Sequence, residues 1–147
     1  MSRELPYSRL FRQLSSLLEG ETDLVSKMAN MAAVLHEGFG FWWTGFYRVR
    51  GEELILGPFQ GPVACMHIPF GKGVCGTAWA RNESVVVPDV EQFPGHIACS
   101  AVSRSEIVVP VHGADGSVIA VLDIDSERPA AFDDVDRAWL ERIVKLL

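Results

Sequence analysis

The chain has 147 residues, 48% apolar and 22% charged, with 13 Lys and Arg against 19 Asp and Glu and a formal net charge of −6. That is the length of one core, and the composition excludes a disordered chain. An acidic balance supplies no basic face for nucleic acid, and no apolar run approaches the ~20 residues that cross a bilayer.

The opening run MSRELPYSRLF has no apolar segment of the secretory kind, so a cytoplasmic protein of one domain spanning 1–147 is expected. Residues 7–18 place Leu10, Phe11, Leu14, Leu17 and Leu18 on one helical face, and Glu19-Gly20 stops that helix. Thr22 is placed to cap a second helix, which runs to about His36 before the GFG at 38–40. FWWTGFYRV and ELILGPF, separated by the turn Arg50-Gly51-Glu52, read as a hairpin. Residues 64–69 suggest a further strand, 74–80 a short helix, and 83–88 a short buried strand ending in proline.

The run DVEQFPGHIACSAVSR at 89–104 has neither helical nor strand period, and long irregular loops are often functional. Two clear strands follow, 106–112 and 117–125, joined at Ala114-Asp115-Gly116. The final DDVDRAWLERIVKLL is an amphipathic helix with acids in its first turn, as the helix dipole favours. Hairpin-linked strands between helices give an α+β fold: a central antiparallel sheet of about six strands, with the N- and C-terminal helices packed on one face.

Three cysteines make an odd count, which argues against a secreted disulfide framework. Cys65, Cys75 and Cys99 form no CxxC pair, so neither a zinc ribbon nor a thioredoxin motif is indicated. A metal set would have to draw on His67 and His96, and none is expected. Cys75, inside apolar GVCGTAW, reads equally as a small buried hydrophobe. Cys99 differs, because an irregular loop can expose a thiol and aim backbone N–H groups at it. Cys65 follows a Gly-Pro turn at a strand start, within reach of such a loop.

At these cysteines the sequence takes on a resemblance. GPFQGPVAC, IPFGKGVCGTAW, PDVEQFPGHIACSAVSRSEIVVP and VLDIDS closely resemble the free methionine-(R)-sulfoxide reductases, which have a GAF fold. The likeness runs from FWWTGFYRV to LDIDSERPAAFDDVDRAWLE, and the local runs SAVSR and VHGADGS depart from it. The resemblance implies that Cys99 is the nucleophile, Cys65 the main resolving thiol and Cys75 an auxiliary. It implies substrate-binding roles for Trp43, Glu106, Asp123 and Asp125, no bound cofactor, and thioredoxin as external reductant. GAF domains often pair through terminal helices, so a homodimer is expected by analogy.

The chemistry agrees with these residue types. A sulfoxide is a poor electrophile until its oxygen is protonated or strongly hydrogen-bonded, and only then can a thiolate attack sulfur. Asp123 and Asp125, two apart on a strand, share a sheet face. Converging carboxylates repel, so one should hold a proton near neutrality, as a general acid must. Attack leaves Cys99 as a sulfenic acid and releases methionine; a second thiol then condenses with it, which needs Cα atoms within about 7 Å. Trp43, Tyr47 and Phe70 are candidates to line an apolar slot for the S-methyl group, although Tyr47 and Phe70 read better as core. The competing reading is a GAF sensory module that binds a small ligand, such as a cyclic nucleotide or a tetrapyrrole, without catalysis. Three cysteines in this register beside three acids disfavour it.

Overall fold

The computed structural model describes residues 2–97, 99 and 102–147. Two N-terminal helices, α1 (Glu4–Leu18) and α2 (Leu24–Phe39), precede the hairpin of β1 (Trp43–Arg50) and β2 (Glu53–Gln60). Then come β3 (His67–Pro69), α3 (Gly73–Arg81) and β4 (Val85–Val87). The long loop holds a 3-10 turn at Val90–Gln92 and leads into β5 (Ser105–His112) and β6 (Val118–Ser126). The chain closes with α4 (Asp134–Ile143) and a 3-10 turn at Val144–Leu146.

The second helix starts and ends later than its sequence suggests. Its cap is Asp23, whose carboxylate accepts the Ser26 N–H at 2.9 Å, while the Thr22 N–H is held by Glu21. At the far end the helix passes through Gly38 and closes on Gly40, whose N–H bonds the His36 carbonyl. Gly38 sits where α1 crosses: a Cβ there would fall 2.8 Å from Leu10 Cδ1. The glycine that reads as a breaker is therefore a close helix contact, and packing outweighs its poor propensity.

All strand pairs are antiparallel, in the order β3-β2-β1-β6-β5-β4. The α1, α2 and α4 helices cover one face, where Leu14, Met31, Leu35 and Leu140 pack on Phe46, Ile107, Leu122 and Ile124. Burying each such side chain contributes about 1.5–3 kcal/mol, so tertiary packing rather than intrinsic propensity holds these short helices. Asp136 in α4 is fully buried, accepting from Tyr7 Oη at 2.7 Å and Arg3 Nη1 at 2.8 Å, which locks the first helix to the last.

The N- and C-terminal helices share one face, as the sequence suggests, and the short middle helix does not join them. The α3 helix lies on the opposite face, with Val74, Cys75 and Ala78 packed against Trp43, Tyr47, Val108 and Val121. β3 is also shorter than expected. Residues 61–66 instead form an irregular segment pinned to β1, with Trp43 Nε1 donating to the Pro62 carbonyl and Tyr47 Oη to the Cys65 carbonyl, both at 2.9 Å. The second face thus carries one helix and two loops, and a cavity forms beneath them.

Candidate active site

Strand register builds the floor of the cavity. Trp43 on β1 lies opposite Asp125 on β6, and Asp125 lies opposite Glu106 on β5, so one row crosses three strands. In the next row toward α3, Gly45, Asp123 and Val108 are partners. Because side chains alternate, both rows point to the α3 face. Gly45 has no side chain for a steric reason: a Cβ would fall 2.4 Å from Phe59 Cβ and 2.6 Å from Trp43 Cη2. Its absence lets the Trp43 ring lie along the strand, stacked near Phe59 at 5.4 Å and Tyr47 at 6.0 Å between centroids.

Cys75, on α3, faces the acids. Cys75, Glu106 and Asp123 are 4%, 6% and 5% exposed, and Asp125 is half-buried. The roof is covalent. Cys65 and Cys99, 34 residues apart, form a disulfide with their Cα atoms 5.5 Å apart, Cys65 half-buried and Cys99 exposed. Between floor and roof is a cavity of about 60 Å³, lined also by Trp42, Val63, Ile97 and His96. His96 Nε2 stands 3.9 Å from Glu106 Oε1.

Burial governs the electrostatics. Desolvation, and then the neighbouring charges of Asp123 and Asp125, hold the Glu106 carboxyl well above the usual range. Asp125 is raised for the same reasons, burial first and Asp123 second, although Ser103 Oγ donates to its Oδ1 at 3.2 Å. Asp123 is raised by burial against the hydrogen bonds it shares with Glu106 and Cys75. One of its oxygens, Oδ1, is buried and has no partner among the described residues. The Cys75 thiol is pushed well up by burial and then by the three acids, so it is a proton donor and no thiolate. Carboxyls held toward their protonated forms, beside one buried acceptor oxygen without a partner among the described residues, suit a ligand that brings both an acceptor and a cation.

Cys75 Sγ and one oxygen each from Glu106 and Asp123 lie within 4.8 Å of one another, a spacing that could hold a divalent cation. The protons that burial keeps on these groups oppose the ionised ligands such an ion needs.

Seven residues singled out in the sequence, Trp43, Cys65, Cys75, Cys99, Glu106, Asp123 and Asp125, come together around this cavity. Tyr47 lines it as well. Phe70 is neither slot nor core: it is 52% exposed and packs edge-on against Trp79, 4.7 Å away. His67 is on the surface, paired with Glu53 at 2.8 Å. Ser103 and the position of His96 beside Glu106 went unread in the sequence. The signal for His96 was its place three residues before Cys99.

A GAF domain signature matches residues 20–147. Free methionine-R-sulfoxide reductase of Escherichia coli is 46% identical over 96% of this chain and 86% of its own length. The protein of the same name in Saccharomyces cerevisiae is 41% identical over 100% of this chain and 86% of its own. Among solved structures, free methionine-R-sulfoxide reductase from Neisseria meningitidis in complex with its substrate superposes with a TM-score of 0.96 at 51% identity. That match covers 99% of this chain and 88% of the other.

Proposed function

The chain belongs to the GAF-domain family and to the free methionine-R-sulfoxide reductases within it, and on that premise we propose how its residues carry out the reduction. The Cys99 thiolate attacks the sulfoxide sulfur. A protonated carboxyl from the Glu106, Asp123 and Asp125 group gives its proton to the departing oxygen. The oxygen passes to Cys99 as a sulfenic acid, and methionine leaves with a two-electron gain. The Cys65 thiol then attacks the Cys99 sulfur, forming the disulfide and releasing water. An external dithiol of the thioredoxin class closes the cycle by attacking the exposed Cys99 side of that disulfide.

The observation that supports this reading is the Cys65–Cys99 bridge, whose Cys99 lines the same cavity as the Glu106, Asp123 and Asp125 carboxyls. The acids need raised pKa values to be donors near neutrality, and burial with mutual repulsion supplies them. Trp43, held by its Pro62 bond and made room for by Gly45, offers the S-methyl group an aromatic wall. Cys75 serves as an auxiliary, too buried to act as resolving thiol without movement of α3.

We extend the reading to the setting. Thiol cycling of this kind belongs in a reducing compartment, which favours the cytoplasm. The exposed Leu5 and Leu17 of α1 offer apolar surface for a homodimer through the terminal helices.

The test of the cycle uses two variants. Cys99→Ser should lose turnover, because a hydroxyl far above neutral pKa cannot attack sulfur. Cys65→Ser should release about one methionine per enzyme and then stall with thioredoxin. Full thioredoxin-dependent turnover by Cys99→Ser would refute the assignment.

A further inference from the structure

Free methionine sulfoxide is a zwitterion, and the cavity provides unequally for its two charged ends. Glu106, Asp123 and Asp125 offer acceptors and protons to the ammonium and the sulfoxide oxygen. No Lys or Arg lines the cavity among the described residues. Most of its side-chain donors are already engaged: Trp43 with Pro62, Tyr47 with Cys65, Ser103 with Asp125, and Cys75 with Asp123. Among the described residues, that leaves the neutral Trp42 indole and the imidazole of His96 as side-chain N–H donors.

The position of His96 is telling. Its side chain is 17% exposed and Glu106's is 7%, yet His96 Nε2 and Glu106 Oε1 stand 3.9 Å apart, beyond hydrogen-bond range. A half-buried imidazole and a buried carboxyl, of opposite potential charge, thus face each other without bonding. An α-amino acid carries ammonium and carboxylate on the same carbon, so its head group matches such a pair. We infer, building on the reductase reading above, that His96 binds the α-carboxylate of the free substrate while Glu106 takes the ammonium. His96 is then the residue that selects a free amino acid. A peptide-bound methionine sulfoxide presents an amide carbonyl where the imidazole N–H meets a carboxylate. Burial lowers the His96 pKa, whereas Glu106 from β5, Asp123 and Asp125 from β6 favour its cation whenever they ionise. The neutral ring still donates one N–H, so recognition does not depend on full protonation.

The experiment pairs variant with substrate. Reduced wild type, His96→Phe and His96→Arg are assayed with dithiothreitol on L-methionine-R-sulfoxide and on its carboxamide. His96→Phe, which keeps a ring and removes the N–H donors, should raise KM for the free amino acid about 10- to 100-fold, as expected for losing a hydrogen bond to a charged group. Its kcat should change by less than about threefold, on the same argument that uniform binding alone is lost. On the carboxamide, His96→Phe and wild type should agree, and His96→Arg should restore the preference for the carboxylate. Equal losses on both substrates, or an unchanged KM, would overturn the inference. Should both variants fail to fold, imidazole NMR of the wild type decides: L-methionine must shift the His96 resonances and L-methioninamide must not. A wild type inert toward free methionine-R-sulfoxide would instead sink the reductase reading itself.

Discussion

Tyr47→Phe isolates the device that presents Cys65. The Tyr47 hydroxyl donates to the Cys65 carbonyl at 2.9 Å, so β1 holds the backbone of the thiol proposed to resolve the sulfenic acid. Burial, and then Asp123, raise this phenol far above its ordinary pKa, so the donor is present at any working pH. Removing the hydroxyl keeps the ring and its packing. A neutral hydrogen bond of this kind contributes about 0.5–1.5 kcal/mol net, and Cys65 is only half-buried, so no full desolvation penalty is added. A loss of about 1 kcal/mol corresponds to roughly fivefold in how often Cys65 stands within bonding reach of Cys99. Disulfide formation after the first turnover should therefore slow about fivefold, with that same energy setting the scale. Methionine release in the first turnover should change by less than about twofold, since Cys99, the proposed nucleophile, is on the other loop. Quenched-flow chromatography of methionine, paired with mass-spectrometric counting of free thiols, separates the two steps. The reasoning fails if thiol loss keeps its wild-type rate, or if methionine release slows by the same factor.

The acid cluster makes a prediction about stability. Glu106 holds its proton more tightly folded than unfolded, so the folded state binds more protons above the ordinary carboxylate range. Stability is then greatest at low pH and declines as pH rises from that range toward the raised folded value. Glu106→Gln should remove this decline, raising Tm more at pH 8 than at pH 5; parallel Tm curves against pH would contradict it. Gly45→Ala drives a Cβ into Phe59 and Trp43, an overpacking of about 1–3 kcal/mol, and should lower Tm by several degrees and raise KM. Calorimetry with unchanged Tm would show that the ring has room to move. Chiral chromatography of racemic free methionine sulfoxide after exhaustive reaction should find the S epimer untouched. An oxidised peptide reduced at an equal rate would argue against an enclosed pocket.

Local signals read well and long-range ones did not. The period-two spacing of Asp123 and Asp125 put both on one face, as the structure has them. That Glu106 lies directly across from Asp125 depends on the pairing of β5 with β6, which alternation along either strand cannot fix. The side taken by α3 is equally silent, because its residues bury as readily on either face of the sheet. Phe70 was misplaced because aromatic character does not distinguish a pocket wall from an exposed ring stacked edge-on to Trp79. The β3 strand shrank because side chains from β1 capture the carbonyls of Pro62 and Cys65. The pairing of the cysteines was implied by resemblance; spacing alone left it open.

The row Trp43–Asp125–Glu106 has a consequence for how such a chain tolerates change over generations. Along β5, Ile107 and Val109 face α1, α2 and α4, while Glu106 and Val108 face the α3 side, where Glu106 lines the cavity. A single inserted codon ahead of Glu106 that propagates through the strand would exchange the two sets, burying a carboxyl among leucines and baring isoleucine to the substrate. Substitutions explore this catalytic surface one group at a time, whereas one-residue length changes within the central strands strike foldability and chemistry in the same stroke. Length variation among descendants should therefore collect in the turn at 113–117 and at the chain ends, and be purged from 105–112 and 118–126.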